Sequence, residues 1–133
     1  MDDLETIDGA DFGRGLRGVG VNILTRDAAV LAEFMVAVFG VTAHRVSSDF
    51  AIVVHDGAYI QLHGDATYGN HPLLGLVPEA PPRAGGMQIF LFGIDPDAAA
   101  ARAEAAGGMV LEQPANKPHG LRECTVLAPE GQA

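Results

Sequence analysis

A unit consisting of a strand, a helix and then further strands occurs twice in this chain, first over Val19 to His63 and again over Gly86 to Leu127. Each copy must lay the apolar stripe of its helix on a sheet, which leaves the other sheet face free. Two such sheets curling toward one another enclose a small cavity, so the repeat says where a site should be sought. It says nothing of what the site binds.

In the first copy, Val21, Ile23 and Thr25 share one face of a strand and Gly20, Asn22 and Leu24 the other. Asp27 is a good N-cap, and the period then changes: Leu31, Phe34, Met35, Val38 and Phe39 recur at spacings of three and four. This pattern predicts a helix over Ala28 to Phe39, closed by Gly40. Val41 to Val46 reads as a strand. Phe50 to His55 and Ala58 to His63 read as a hairpin turning at Asp56-Gly57, where the pair supplies the positive φ of a tight turn.

The second copy opens with a predicted strand, Met87 to Ile94. Asp95-Pro96-Asp97 then combines an N-cap, a proline at the first helical position and a carboxylate facing the helix dipole. An alanine-rich helix runs from Ala98 to Ala106 and ends at Gly107-Gly108. The closing strands are predicted at Met109 to Gln113 and Leu121 to Leu127, with Pro114 to Gly120 between them. The organisation read from this is a flexible or surface-draped arm over residues 1–18, without helical or strand periodicity, followed by one domain over 19–133. The domain divides into module one (19–63), a proline-rich connector (64–85) and module two (86–133). A chain of 133 residues can bury roughly two thirds of its unfolded surface in one domain.

Eight Lys and Arg against 17 Asp and Glu give a formal charge of −9, which repels phosphate backbones and anionic lipid, so neither nucleic acid nor membrane is expected as a partner. The single Cys124 has no internal disulfide partner, and the acidic, apolar-poor start carries no secretory signal; a cytoplasmic protein is the expectation. The best candidate for a membrane span, Ala28 to Val41, is too short and contains Glu33. No phosphate-binding glycine loop and no nucleophile-elbow motif occurs.

The stretch His119-Gly120-Leu121-Arg122-Glu123, running to Ala128-Pro129-Glu130-Gly131, resembles a motif of the glyoxalase and bleomycin-resistance branch of the vicinal oxygen chelate superfamily. That superfamily also holds extradiol dioxygenases and fosfomycin-resistance enzymes. The resemblance implies an α+β fold: two βαβββ modules in a cupped, barrel-like mixed sheet, helices outside, a cavity inside, and pairing as a homodimer. It also implies where metal ligands would lie. Those positions fall at Gly20, with Asn22 one step along the same face, at Gln61, at Gln88, and on a strand after Gly131. Two neutral amides without a carboxylate offset the dehydration of a divalent ion poorly.

By strand alternation the cavity face carries Asn22, Leu24, Tyr59, Gln61, His63, Gln88, Phe90 and Phe92, while Ile60, Leu62, Ile89 and Leu91 face the helices. Aromatic walls with a few amides, a phenol and an imidazole suit a small, partly apolar ligand. His63 is the residue best suited to carry a proton at neutral pH. His119 occupies a position where the branch places an aromatic at the cavity mouth. Arg122 could bind an anionic group or pair with Glu123 or Glu112, and the pairing is favoured. His44, His55 and His71 form no group in the sequence, and Cys124 reads as a buried, inert thiol.

The expected function is therefore binding of a small organic molecule in a metal-free cavity, with no cofactor and no catalytic residue assigned. The alternative is an enzyme of the same superfamily, a lyase, isomerase, dioxygenase or thiol transferase, with one divalent ion held by Gln61 and Gln88 and helped by His63 or by a residue beyond Ala133. A third option is an accessory domain acting through its dimer surface.

Overall fold

The computed structural model describes residues 3–133; Met1 and Asp2 of the leader lie outside them. The chain divides into two compact units, one reaching to Ala32 and including Val41–Leu74, the other Glu33–Gly40 with Gly75–Ala133.

The first unit follows the predicted strand-helix-strand order closely. Strand β1 (Val21–Thr25) leads into helix α2 (Ala28–Phe39), which follows a shorter helix α1 (Gly9–Gly15) in the leader. Strands β2 (Thr42–His44), β3 (Phe50–His55) and β4 (Ala58–Gly64) come next. They form one mixed sheet in the order β1-β4-β3-β2, with β1 parallel to β4 and the remaining pairs antiparallel. Asp27 starts α2 as its side chain accepts from the backbone N–H of Ala29 at 2.9 Å. Asp56 and Gly57 take the positive φ values, 45° and 81°, that let β3 turn straight into β4. Ala51, Val53, Ile60 and Leu62 are buried on one sheet face. Gly64 is required where β4 ends, since a Cβ there would lie 2.5 Å from the Ser48 carbonyl.

The leader departs from expectation. Where no periodicity was read, Gly9–Gly15 form helix α1, and Phe12 and Leu4 join Ile52 in a buried cluster edged by Ile7, Leu16, Phe50, Val54 and Tyr59. Two apolar side chains eight residues apart leave no periodic trace among glycines and carboxylates, but they suffice once a sheet offers Ile52 as a partner.

In the second unit, helix α3 (Pro96–Ala103) packs on strands β5 (Met109–Asn116) and β6 (Arg122–Leu127), an antiparallel pair. Asp95 caps α3 as predicted, accepting from Asp97 N–H at 2.9 Å, and the small side chains of Ala99 and Ala103 are the buried ones. The last turns of α2 belong to this unit. Gly108 lies so close to the Phe34 ring that a Cβ would fall 2.6 Å from it. The Arg83 guanidinium, in the connector, pairs with Glu130 at 3.0 Å, both largely buried.

Two strand expectations are corrected here. β5 does not stop at Gln113 but runs through Pro114 to Asn116, with register shifts between Val110 and Glu112 and between Glu112 and Ala115. Proline is tolerated at such an irregularity because no ladder hydrogen bond is asked of it. Met87 to Ile94 joins no ladder among the described residues. Its alternation is strand-like, but β5 and β6 pair with one another, and the segment's backbone reaches the chain end instead, Ile89 N–H donating to the Ala133 carbonyl at 3.1 Å. In place of the expected barrel of two full βαβββ modules, the described residues form a four-stranded mixed sheet and a two-stranded one, with no closed barrel among them. Among the described residues no helix is long and apolar enough to cross a membrane.

Candidate functional site

The parallel pairing of β1 with β4 sets Asn22 opposite Gln61 and Leu24 opposite His63, so Asn22, Gln61 and His63 share one face, as alternation predicts. Across the hairpin the same face continues through Val54 opposite Tyr59, Ile52 opposite Gln61 and Phe50 opposite His63. Asn22 is the hub. Its amide oxygen lies 2.5 Å from His63 Nδ1, and its amide nitrogen donates to the Tyr68 hydroxyl.

Tyr68 reaches this face because the chain turns immediately after β4. Thr67 Oγ1 donates to the Gly64 carbonyl at 2.8 Å, Tyr68 N–H to the Asp65 carbonyl at 3.1 Å and His71 N–H to the Tyr68 carbonyl at 2.7 Å. These bonds fold the start of the connector back over the strand end. The His63 ring then lies between Phe50, with centroids 4.9 Å apart, and Tyr68, 5.6 Å away; Tyr68 in turn meets His71 at 4.8 Å.

The electrostatics follow from this cage. Burial lowers the His63 pKa from 6.5, so the imidazole is neutral at pH 7. With Nδ1 turned to the Asn22 oxygen and carrying the proton, Nε2 presents a lone pair on the opposite edge of the ring. The Tyr68 hydroxyl, already accepting from Asn22, keeps its own proton to donate. One acceptor and one donor beside aromatic surface can orient a small molecule bearing complementary polar groups.

The other predicted residues are placed as follows. Tyr59 is half-buried under the leader, its ring edge-to-face with Phe12 at 5.7 Å. In the second unit Gln88 Nε2 approaches Thr125 Oγ1 at 3.5 Å, while Phe90 and Phe92 stack at 5.8 Å and remain 52% and 62% exposed. His119 Nε2 contacts Glu123 at 2.8 Å. Arg122 does pair, but with neither Glu123 nor Glu112: its guanidinium clasps both oxygens of Asp97 at 2.7 and 2.8 Å and also donates to Asn116. Glu112 is held by Lys117. Cys124 donates to the Pro96 carbonyl at 3.4 Å, and burial, with Asp97 and Glu112 nearby, raises its thiol pKa, in keeping with an inert side chain.

Three residues of the cluster escaped sequence reasoning. In the sequence Phe50 is marked only as a strand residue, and Tyr68 and His71 only as parts of a connector. The available signal was an aromatic five residues beyond a histidine at the end of a cavity-face strand, close enough for one turn to return it. The second unit also carries an open depression of about 380 Å³ between α3 and β5, lined by Asp97, Glu104, Gln113 and alanines. Its Asp97 is already committed to Arg122.

A βαβββ sheet whose open face gathers polar and aromatic side chains is the architecture of the vicinal oxygen chelate class. The chain belongs to the glyoxalase-like domain family, which matches residues 19–133. No curated protein sequence matches it. Among solved structures it resembles a hypothetical protein from S. aureus at 17% identity and TM-score 0.68, covering 91% of this chain and 93% of that one. It also resembles a glyoxalase/bleomycin resistance protein/dioxygenase family enzyme from Burkholderia phytofirmans, at 23% identity and TM-score 0.64, covering 85% and 91%. A glyoxalase/bleomycin resistance protein/dioxygenase from Nocardioides matches at 18% identity and TM-score 0.55, covering 92% and 85%. At such identities the likeness is one of fold.

The divalent ion that this superfamily implies does not fit the donors present. Gly20 has no side chain, the Asn22 amide is engaged by His63 and Tyr68, and Gln61 and Gln88 are neutral amides. No group of three His, Cys, Asp or Glu among the described residues could hold a metal.

Proposed function

We propose that the protein binds a small organic molecule, without a metal, on the face of the first sheet around His63. The observation that carries this is the Asn22 hub, which holds a neutral imidazole and a tyrosine hydroxyl side by side against Phe50. A ligand with a hydrogen-bond donor for His63 Nε2, an acceptor for Tyr68 and a flat apolar part fits this face. Gln61 lies on the same face and can add an amide contact. Binding as a homodimer is part of the reading, since the exposed Met87, Phe90 and Phe92 form an apolar surface a second copy would cover; sedimentation measures it.

The test is thermal shift, because whatever binds the folded state raises its melting temperature. Protein purified without chelator is expected to carry no stoichiometric metal and to show no shift with Ni²⁺, Zn²⁺, Mn²⁺ or Fe²⁺. Small-molecule hits are expected to stabilise the wild type and not His63→Ala. A near-stoichiometric ion, or a metal shift abolished by Gln61→Ala, would overturn the metal-free reading in favour of a metal-dependent enzyme.

A further inference from the structure

Helix α1 lies outside residues 19–133, the span that the family model matches. It lies on the sheet face that carries Tyr59, Gln61 and His63. Register identifies that face, because Val54, Ile52 and Phe50 stand directly opposite those three residues and paired side chains project to the same side. There Leu4 and Phe12, 7% and 9% exposed, shield Ile52 to 1%. The Phe12 ring meets Tyr59 edge-to-face, its plane at 85°.

The helix has little stability of its own. Three of its seven residues are glycine, among the poorest helix formers, and no side chain caps its start. What holds it is the apolar seat and a latch at the end of the edge strand: Arg45 donates from Nε to the Leu4 carbonyl at 2.6 Å and from its backbone N–H to Glu5 at 3.0 Å, with His44 3.5 Å from the same carboxylate. Seat and latch are the contacts a competing molecule has to replace.

We propose that Phe12 is the resident occupant of an aromatic subsite over Ile52 and Tyr59, and that a neutral aromatic ligand displaces it. The proposal rests on this face being the binding face. Apolar walls favour a neutral ligand because any ion would have to be desolvated against them, and the chain's charge of −9 adds to the cost of an anion. While Phe12 is seated, apparent affinity is reduced by the fraction of molecules in which the seat is empty.

The chain has no tryptophan, so Phe12→Trp in the full-length protein places a single indole at the subsite. With 3-phenyl-1-propanol as probe, the indole is expected to be shielded from acrylamide in the free protein and exposed, with red-shifted emission, as the probe saturates. Phe12→Ala is expected to bind the probe at least about fivefold more tightly than wild type, followed by the methyl resonances of Ile52. Arg45→Asn is expected to tighten binding by less; it removes the side-chain latch and suits the positive φ of 53° at that position. Equal affinity in wild type and Phe12→Ala, with the indole shielded throughout, overturns the proposal alone. Absence of probe at Ile52 in every variant overturns it together with the binding-face reading.

Discussion

The imidazole of His63 meets the side-chain amide of Asn22 across the parallel pair β1–β4, with Nδ1 2.5 Å from Oδ1. The neighbouring Tyr68 hydroxyl takes the amide nitrogen, so one asparagine sets both the tautomer of the histidine and the role of the tyrosine. Neither His63 nor Tyr68 alone would define a site.

Replacing this amide by a carboxylate tests the contact directly. Asn22→Asp would put a negative charge against Nδ1 and favour the imidazolium, raising a pKa that burial now holds below 6.5. Titration of the His63 ring protons by NMR is expected to move from below 6.5 to above it. An unchanged value would mean that the two side chains do not meet in solution.

The same depressed pKa makes stability depend on pH. As pH falls through the unfolded value of 6.5 the unfolded chain takes up a proton that the folded chain refuses, so stability drops until the lower folded pKa is passed. Above the unfolded value both forms are neutral and the contribution is constant. Urea midpoints measured from about pH 8 to about pH 5 should fall in the wild type and fall less in His63→Gln, where this term is gone.

Glycines at close approaches should be far less replaceable than glycines in the open. A Cβ at Gly108 would lie 2.4 Å from the Leu127 carbonyl and 2.6 Å from Phe34, and one at Gly64 would lie 2.5 Å from the Ser48 carbonyl. Gly108→Ala and Gly64→Ala are each expected to cost about 1–3 kcal/mol by denaturant unfolding. Gly20→Ala, with nothing within 4 Å, should stay within about 0.5 kcal/mol of wild type.

Arg122 is occupied, and this decides its part in ligand binding. It holds the Asp97 carboxyl below its ordinary value of 3.8, chiefly through the hydrogen bonds between them. Arg122→Ala should let the Asp97 pKa rise toward 3.8, read by carboxyl carbon NMR. Because the pair is exposed, stability should change little, and added salt should weaken the wild-type pair in the same direction. Acetate or phosphate should produce no thermal shift that depends on Arg122; such a shift would restore the residue as an anion hook.

Local chemistry determined most of the first unit. The apolar spacing of α2, the Asp27 cap, the Asp56-Gly57 turn and the alternation of β3 and β4 act within a few residues of one another, and so the helix, the hairpin and the shared face of Asn22, Gln61 and His63 were readable in the chain. The cap at Asp95 was readable for the same reason. Pairing partners belong to the tertiary structure. Met87 to Ile94 has a strand's alternation, yet a ladder needs a neighbour with free backbone groups, and β5 and β6 satisfy each other. Arg122 found Asp97, 25 residues away, rather than the acids nearest in sequence or register, because α3 packs against β6. Tyr68 and His71 joined His63 only when the connector folded back, and Phe12 became buried only because the sheet presents Ile52 beneath it. Contacts made at long sequence separation depend on how the elements pack, and local propensity carries no record of them.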